Sequence, residues 1–446
     1  MKKIRSYLPL SLMLILVLGA AGCFNRTANN VVIDQTTPIV LQYDRLFDES
    51  TALDEIVKLY QEDHPNITVV VRKVSLKPGE TVYDYQADLI KQVADGNGPD
   101  MFMIHNDWLP YNKNHISPMP AEMMSTQTYS ETFYPVVVND FVDANRIYAI
   151  PYYLDNLMLF YNTNIFDELN IKQPPKTWQE VVDLVPKLTK YGSGDTIKQS
   201  AIPLGTAADS IPRFAEILAA LIMQYGGEMT TTDHTKATFD LSAPNSDPAY
   251  FSGREALKFY TDFANPSSSV YTYTDAKNND GSLKFPMDVQ AFMEGKAAMM
   301  IGYSYQVANI RKFAPNLTFE TTSLPQLRQG EPLTVANYWG ETVSKNCAHP
   351  NEAWDFIKFV IKNQGKYSSA SKRVPATKES NDAYVDRQYY GPVASQAANS
   401  TSWYRHNSPE VEAIFGRMVT SVLHDGVAVS TAIDTAARDI NQLAQD

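Results

Sequence analysis

The sequence predicts an α/β fold, because segments patterned as strands alternate with segments patterned as helices along the chain. Such alternation favours largely parallel sheets with helices packed on their faces. The length of 446 residues exceeds that of a single typical domain. The chain can therefore bury a large core in two or more domains.

The first strands and helices follow from hydrophobic periodicity. We expect strands at 38–41, 67–71 and 100–104, a helix that Thr51 caps and His64-Pro65 stops, and a second helix at 85–93. In open α/β sheets, ligands bind beyond the carboxyl ends of the strands. The residues that follow the third strand, from His105 to Trp108, therefore lie at a predicted binding edge.

A strand, a loop and a helix are predicted in the middle of the chain. The apolar run 157–161 is long enough for a buried strand, and turn-forming residues follow it. Thr177 and Glu180 have the spacing of a capping box, which begins an amphipathic helix directly after Thr177. Pro186 is expected to end or kink that helix. A carboxylate, Asp155, precedes the strand.

Residues 1–22 have the layout of a signal peptide. Three basic residues precede the apolar segment 8–18, which is too short for a transmembrane helix, and small residues then precede Cys23. This pattern resembles a lipobox, so we expect a lipid on Cys23 to anchor the protein to the bacterial cell membrane through a tether at 23–36. Cys347 would then have no intramolecular partner.

Charge and motifs narrow the function. With 38 basic and 50 acidic residues the net charge is −12, which gives no electrostatic footprint for nucleic acid. The metalloprotease, serine-hydrolase and phosphate-loop motifs are missing from the sequence. Two-carboxylate glycosidase chemistry stays open, because so many acidic residues offer many pairs. The tyrosine pairs at 152–153 and 389–390 leave ferric iron open, since phenolates ligate iron.

Four motifs along the chain resemble those of one protein family. Segment 148–189 contains IP-x-x-x-D, YN and PP-x-TW-x-E, segment 96–108 contains G-x-G-P-D before an apolar strand, segment 288–305 contains F-x-x-G-K-A-A-M, and segment 335–342 reads VANYWGET. Together they resemble the bacterial extracellular solute-binding proteins of family 1, the maltose-binding-protein-like sugar-binding group of ABC transporters.

The resemblance implies a bilobal periplasmic-binding-protein fold of type II, in which two α/β lobes are joined by a hinge of crossover segments. The implied crossings are near 149–155, 334–339 and 374–376. The implied lobes are 37–149 with 340–373 for lobe 1, and 150–339 with 374–446 for lobe 2.

The resemblance also indicates ligand-binding residues. Asp107 matches a sugar-binding aspartate after the third strand, Tyr305 matches an aromatic platform, and Trp339 falls near the cleft at the return crossing. Carboxylates suit sugar hydroxyls as acceptors, and aromatic rings suit the apolar C–H faces of a pyranose. The full expected set is Asn106, Asp107, Trp108, Tyr153, Asp155, Tyr305, Trp339 and Trp403.

The function that the resemblance implies is an extracytoplasmic lipoprotein that captures a mono- or oligosaccharide by hinge closure. It would deliver this ligand to the permease subunits of an ABC importer, as a monomer without catalysis, cofactor or metal. Two alternatives stay open: a surface lipoprotein with glycoside hydrolase activity, and a binder of a non-sugar solute such as iron or a polyamine.

Overall fold

The computed structural model describes residues 31, 33–48, 50–242, 247–405 and 407–443. The predicted signal peptide, the predicted lipidation site Cys23 and most of the predicted tether lie outside the described residues. Within the described ranges, none of the helices has the length and the apolar character needed to span a membrane.

Helices and strands alternate along the chain, as the sequence predicts. The helices are α1 (Ala52–Asp63), α2 (Val82–Ala94), α3 (Leu109–Asn112), α4 (Thr126–Thr132), α5 (Pro135–Phe141), α6 (Thr163–Glu168), α7 (Trp178–Leu188), α8 (Phe214–Gln224), α9 (Ser252–Asp262), α10 (Asp288–Met293), α11 (Tyr305–Phe313), α12 (Pro350–Lys362), α13 (Gln364–Ser371), α14 (Lys378–Asn381), α15 (Gly391–Gln396), α16 (Ser408–His424) and α17 (Val429–Leu443). The strands are β1 (Ile39–Leu46), β2 (Ile67–Val74), β3 (Met101–His105), β4 (Ile116–Ser117), β5 (Val142–Asp143), β6 (Arg146–Ile147), β7 (Ile150–Pro151), β8 (Met158–Asn162), β9 (Lys190–Tyr191), β10 (Ile197–Gln199), β11 (Met299–Gly302), β12 (Phe319–Ser323), β13 (Thr334–Val335), β14 (Trp339–Ser344) and β15 (Ser400–Thr401).

The first sheet has the strand order β2-β1-β3-β14-β4, with β7 also paired to β14. β1 runs parallel to β2 and β3, whereas β14 runs antiparallel to β3 and places Trp339 opposite His105. The carboxyl ends of β1 and β3 and the amino end of β14 therefore meet at one edge of the sheet. This edge holds the residues predicted to bind ligand after the third strand.

The second sheet has three strands, and both β11 and β12 run antiparallel to the central strand β8. The prediction of largely parallel sheets is therefore wrong for this sheet, and it holds in the first sheet only for β2, β1 and β3. An apolar run such as 157–161 identifies a buried strand, but hydrophobicity carries no information about the direction of its neighbours.

Buried apolar side chains form two clusters, one around each sheet. The first cluster takes residues from β1 to Leu154 together with β14 and α12, and Trp354 is fully buried in it. The second cluster extends from Leu157 through β8, β11 and β12 to α17, and Trp178 is its largest buried side chain. Tyr153 and Leu154 belong to the first cluster, although the predicted boundary assigns them to lobe 2. The boundaries stay predictions, and we propose that the first crossing begins after Leu154.

The first residues of α7 and α1 show whether the capping residues predicted from the sequence are correct. The Thr177 hydroxyl accepts from the Glu180 N–H at 3.2 Å and the Glu180 carboxylate accepts from the Thr177 N–H at 3.1 Å, which confirms the predicted capping box. Pro186 lies inside α7, which continues to Leu188. Thr51 precedes α1, but its side chain makes no capping hydrogen bond, so its predicted capping role is wrong.

The three segments predicted as crossings lie side by side. The Leu154 N–H donates to the Val374 carbonyl and the Leu157 N–H donates to the Val335 carbonyl, each at 3.0 Å. The Asn337 N–H donates to the Asp155 carbonyl, also at 3.0 Å. These backbone bonds tie the first crossing to the other two, so a hinge of adjacent segments connects the two clusters.

Candidate ligand-binding cleft

A cavity of about 800 Å³, called the cleft below, is lined by residues of both clusters and of the crossings. Its volume lies within the range of about 300–1,000 Å³ that is typical of small-molecule sites. Of the predicted ligand-binding residues, five line it: Trp108, Tyr153, Asp155, Tyr305 and Trp339.

Aromatic rings form one wall of the cleft at the edge of the first sheet. The rings of Trp108 and Trp339 meet edge to face with centroids 4.9 Å apart, and the His105 ring lies 5.3 Å from Trp339. Phe47, directly after β1, lies 6.1 Å from Trp339 and keeps 48% of its surface exposed. Its φ of 59° is in the left-handed region, which a bulky side chain rarely adopts. A strained backbone conformation therefore positions this exposed ring in the cleft.

The opposite wall comes from the second cluster. Tyr305 begins α11 directly beyond β11 and stacks on Tyr303 with ring centroids 6.2 Å apart. Tyr303 is almost fully buried, so it supports Tyr305 from behind. Residues packed on both clusters thus contribute aromatic side chains to the cleft lining.

Asp155 lies at the first crossing and is almost fully buried. Its carboxylate accepts hydrogen bonds from the Ser304 N–H at 3.0 Å, the Ser304 hydroxyl at 2.8 Å and the Asn156 N–H at 3.0 Å. Burial outweighs these bonds and raises the pKa of Asp155 to about 6. The side chain ties the hinge to the residue that precedes α11.

Tyr153 and Arg373 lie together beside Asp155. The Arg373 guanidinium lies over the Tyr153 ring at 4.8 Å, and its Nη1 is 3.9 Å from the Asp155 carboxylate. Burial raises the pKa of Tyr153 to about 12, so its hydroxyl stays protonated.

Asp107 does not line the cleft, because its carboxylate is occupied by protein groups behind the surface. Arg405 donates to it from Nε at 3.1 Å and from Nη2 at 2.7 Å, and the Ser408 hydroxyl donates at 2.8 Å. Its second oxygen is hydrogen bonded to His105 Nδ1. Burial alone would raise the pKa of Asp107, but the charges of His105 and Arg405 and these bonds lower it below its ordinary value.

The contact of Asp107 joins the two clusters, since Asp107 follows β3 whereas Arg405 and Ser408 lead into α16. Direct contact of Asp107 with a ligand stays a prediction that the geometry does not favour. The structure supports a different role, which is to hold Arg405, itself a residue of the cleft lining.

Asn106 and Trp403, two other predicted ligand-binding residues, are also absent from the cleft lining. Asn106 is buried and donates to the Asp140 carboxylate at 3.2 Å. Asp140 also accepts from the hydroxyls of Tyr338 and Ser402, so it forms a second polar link between the first cluster and the C-terminal segment. Trp403 packs against the second cluster, with its ring 5.8 Å from Phe415.

A buried network at one end of the cleft is centred on Arg45. Its guanidinium donates to Glu341, to Asp48 at 3.0 Å and to the Tyr367 hydroxyl at 2.6 Å. Burial raises the pKa of Glu341 to about 7, although Arg45 opposes this shift. Arg45 therefore enters the cleft with its charge already paired.

Charged groups beside the second cluster also line the cleft. Arg213 donates to Glu216 at 2.9 Å. Glu412 accepts only a long hydrogen bond from the Tyr83 hydroxyl, at 3.5 Å, among the contacts of the described residues. Burial and the nearby Glu216 carboxylate raise the pKa of Glu412.

Several cleft residues are missing from the prediction. The rule that placed His105–Trp108 at a binding edge applies equally to the end of β1, so it could have identified Phe47. Lys372 and Arg373 directly precede the predicted third crossing, and two adjacent cations at a hinge were a usable signal. Arg213 and Glu412 lie on or beside helices without any local motif, so sequence pattern alone could not identify them.

Comparison with known proteins identifies the family. A family model described as bacterial extracellular solute-binding protein matches residues 46–367. The chain belongs to this family. The description of the family states that its members are extracellular and that they bind solutes.

Individual relatives in this family are distant. A multiple sugar-binding protein of Streptococcus mutans is 22% identical over 76% of this chain and 74% of its own length. A maltodextrin-binding protein of Bacillus subtilis is 21% identical over 77% of this chain and 76% of its own length. The solved structure of a cyclic alpha-maltosyl-1,6-maltose binding protein from Arthrobacter globiformis superposes with a TM-score of 0.72 at 19% identity, covering 91% of this chain and 99% of that one. The bilobal solute-binding fold predicted from the sequence is thereby confirmed.

Proposed function

We propose that this protein captures a carbohydrate in the cleft by closure of its two lobes and delivers it to an ABC importer. The observation that carries the proposal is the pairing of aromatic faces from both clusters with hydrogen-bonding groups around one cavity. Two of the relatives named above are described as binding sugars or maltodextrin, which supports the same ligand class.

The cleft has the chemistry that a pyranose requires. The rings of Trp108, Trp339 and Phe47 on one wall and Tyr305 on the other offer apolar faces for the C–H surfaces of sugar rings. Polar side chains between the walls can replace the bonds that sugar hydroxyls make with water. An unpaired hydroxyl in a closed site would cost about 1–3 kcal/mol, so the polar pattern determines which sugar binds.

Closure of the lobes would let one ligand contact both walls of the cleft. A ligand that contacts both walls interacts with the closed form more than with the open form, so it shifts the population toward closure. Asp107–Arg405 and Asp140–Ser402 also join the first cluster to the C-terminal segment. The closed protein would then dock on permease subunits as a monomer.

Anchoring by a lipid on Cys23 completes the proposal. The support is the sequence layout of the first 23 residues, which precede the folded body. A Cys23→Ser variant should leave the protein in the aqueous phase after detergent phase separation. Partition of that variant with membranes after removal of the signal peptide would contradict the lipoprotein assignment.

The iron alternative is weakened by the tyrosines themselves. Ligation of ferric iron by the 152–153 pair would need both hydroxyls at the cleft, but Tyr152 is fully buried and is absent from the cleft lining. The Tyr152 hydroxyl lies 3.5 Å from the Tyr43 hydroxyl inside the first cluster. Tyr152 is therefore committed to packing.

A thermal-shift screen tests the proposal. The mature protein is heated with a panel of neutral and acidic oligosaccharides, ferric iron and polyamines, and the Trp339→Ala variant serves as a matched control. We expect a saccharide to raise the melting temperature of the wild type and to have a much smaller effect on the variant. Stabilisation by iron or a polyamine alone would overturn the proposal.

A further inference from the structure

Two adjacent cations, Lys372 and Arg373, line the cleft and donate no hydrogen bond to another described residue. They directly follow α13 and directly precede the third crossing, and both line the cleft. Lys372 is exposed and adopts a left-handed φ of 58° as the residue after the helix. This turn brings both cations to the cleft lining.

Arg373 presents hydrogen-bond donors that no protein group accepts. Its side chain keeps only 20% of its surface exposed, and Tyr153 covers its flat face at 4.8 Å. The nearest carboxylate, Asp155, is 3.9 Å away and is already bonded to Ser304 and Asn156. Among the described residues the Arg373 guanidinium makes no hydrogen bond, so its N–H groups face the space of the cleft.

The other arginines of the cleft differ in this respect. Arg45 donates to Glu341, Asp48 and Tyr367, Arg213 donates to Glu216, and Arg405 donates to Asp107. Lys372 has no ion pair or hydrogen bond within the described part of the chain. Among the cations that line the cleft, Lys372 and Arg373 are therefore the two whose side chains donate no hydrogen bond to a described residue, so they are available to a ligand.

We propose that Lys372 and Arg373 form an anion-binding subsite, and that the captured saccharide carries an acidic group. The inference rests on the proposed function, because it names the class of carbohydrate for the same cleft. The shared chemistry is an oxyanion on a sugar ring, either the carboxylate of a uronic acid or a sulfate or phosphate ester.

The geometry suits such a group. A guanidinium whose face is covered by an aromatic ring keeps its edge free, and that edge matches two oxygens of a carboxylate or an ester oxyanion. The Lys372 ammonium adds a mobile point charge beside it. A neutral saccharide would exclude water from these donors on closure and offer only hydroxyls in return, which leaves the Lys372 charge unpaired and the Arg373 charge with only the Asp155 carboxylate at 3.9 Å.

A competition experiment tests the subsite. The mature protein is mixed with equal amounts of neutral trisaccharides (maltotriose, mannotriose), oligouronates (trigalacturonate, trimannuronate) and a carrageenan-derived disaccharide that carries a sulfate ester but no carboxylate, and native mass spectrometry identifies the bound species. We expect an acidic saccharide to be retained, and the uronate and sulfate arms distinguish the two sources of the oxyanion.

Matched variants then assign the effect to the two cations. Arg373→Gln and Lys372→Gln should each weaken the retained saccharide, Arg373→Gln by about 10- to 150-fold, as expected for loss of a charge-assisted pair. Lys366→Gln removes the same charge from an exposed site on α13 outside the cleft lining, and it should bind as the wild type does. Arg373→Lys keeps the charge but loses the planar edge, so it should fall between the wild type and Arg373→Gln.

Two results would overturn the inference in different ways. Retention of a neutral trisaccharide, with Arg373→Gln and Lys372→Gln binding it as tightly as the wild type, would refute the acidic subsite and leave carbohydrate capture intact. Retention of iron or a polyamine in place of any saccharide would refute the proposed function and the subsite together.

Discussion

The pair formed by Asp107 and Arg405 gives the sharpest test of how this structure is held. Both side chains are buried, with 3% of Asp107 and 9% of Arg405 exposed. Removal of one partner of a buried ion pair costs about 3–5 kcal/mol, because the other charge is left without compensation. For a domain of about 200 residues, each kcal/mol lowers the melting temperature by about 2–4 °C, so Asp107→Ala should melt about 6–20 °C lower.

The control is a carboxylate in an exposed pair of the same cluster. Asp143 lies 3.1 Å from Lys113, with more than 40% of each side chain exposed. Asp143→Ala should therefore change stability by about 0–1 kcal/mol. Arg405→Met in the Asp107→Ala background removes the orphaned charge and should recover much of the loss.

Thermal unfolding followed by circular dichroism, with binding measured on the same samples, separates the two roles of Asp107. An Asp107→Ala variant that melts like the Asp143→Ala control but loses saccharide affinity would refute the structural reasoning. It would instead support the expectation from the sequence that Asp107 contacts the ligand.

Further predictions concern pH, the core, the hinge and turnover. Folding raises the pKa of Asp155 to about 6 from an unfolded value near 3.9, so the folded state favours the neutral carboxyl. Its contribution is fully present below about pH 4 and is lost as the pH rises through 6; over that window the wild type should lose up to about 3 kcal/mol relative to Asp155→Asn in urea unfolding. Trp354→Ala should cost about 3–5 kcal/mol in the same assay, because this fully buried ring also donates to the Ser117 carbonyl at 3.1 Å; a loss below 1 kcal/mol would contradict its place in the core. Binding of a saccharide should change tryptophan fluorescence through Trp108 and Trp339 and shrink the radius of gyration, and a ligand that does neither argues against closure. Chromatography of oligosaccharides after long incubation should show no cleavage products; cleavage abolished by Asp155→Asn would instead indicate a hydrolase.

Local signals in the sequence predicted much of the fold, because strand and helix patterns depend on neighbouring residues. The apolar run 157–161 corresponds to β8, and the Thr177–Glu180 spacing correctly marked the start of α7. The antiparallel direction of β11 and β12 relative to β8 could not be predicted from these local signals. Strand pairing depends on the path of the chain between strands, which local hydrophobicity does not encode.

Part of the candidate site could likewise be predicted from local sequence signals, and part of it could not. The edge rule put Trp108 beside the cleft, because a residue directly after a buried strand has a fixed position on the sheet. The same rule put Asp107 there too, but it could not determine where the side chain points. Arg405, which occupies the carboxylate, lies 298 residues further along the chain, and no local pattern predicts such a partner.

Native mass spectrometry of the protein purified from its own host tests the central claim most directly. We predict an adduct whose mass and fragments are those of a saccharide, bound to the wild type and lost from a variant with Trp339→Ala and Tyr305→Ala. An adduct of iron, a polyamine or another non-carbohydrate solute, released by the same two substitutions, would contradict carbohydrate capture in the cleft.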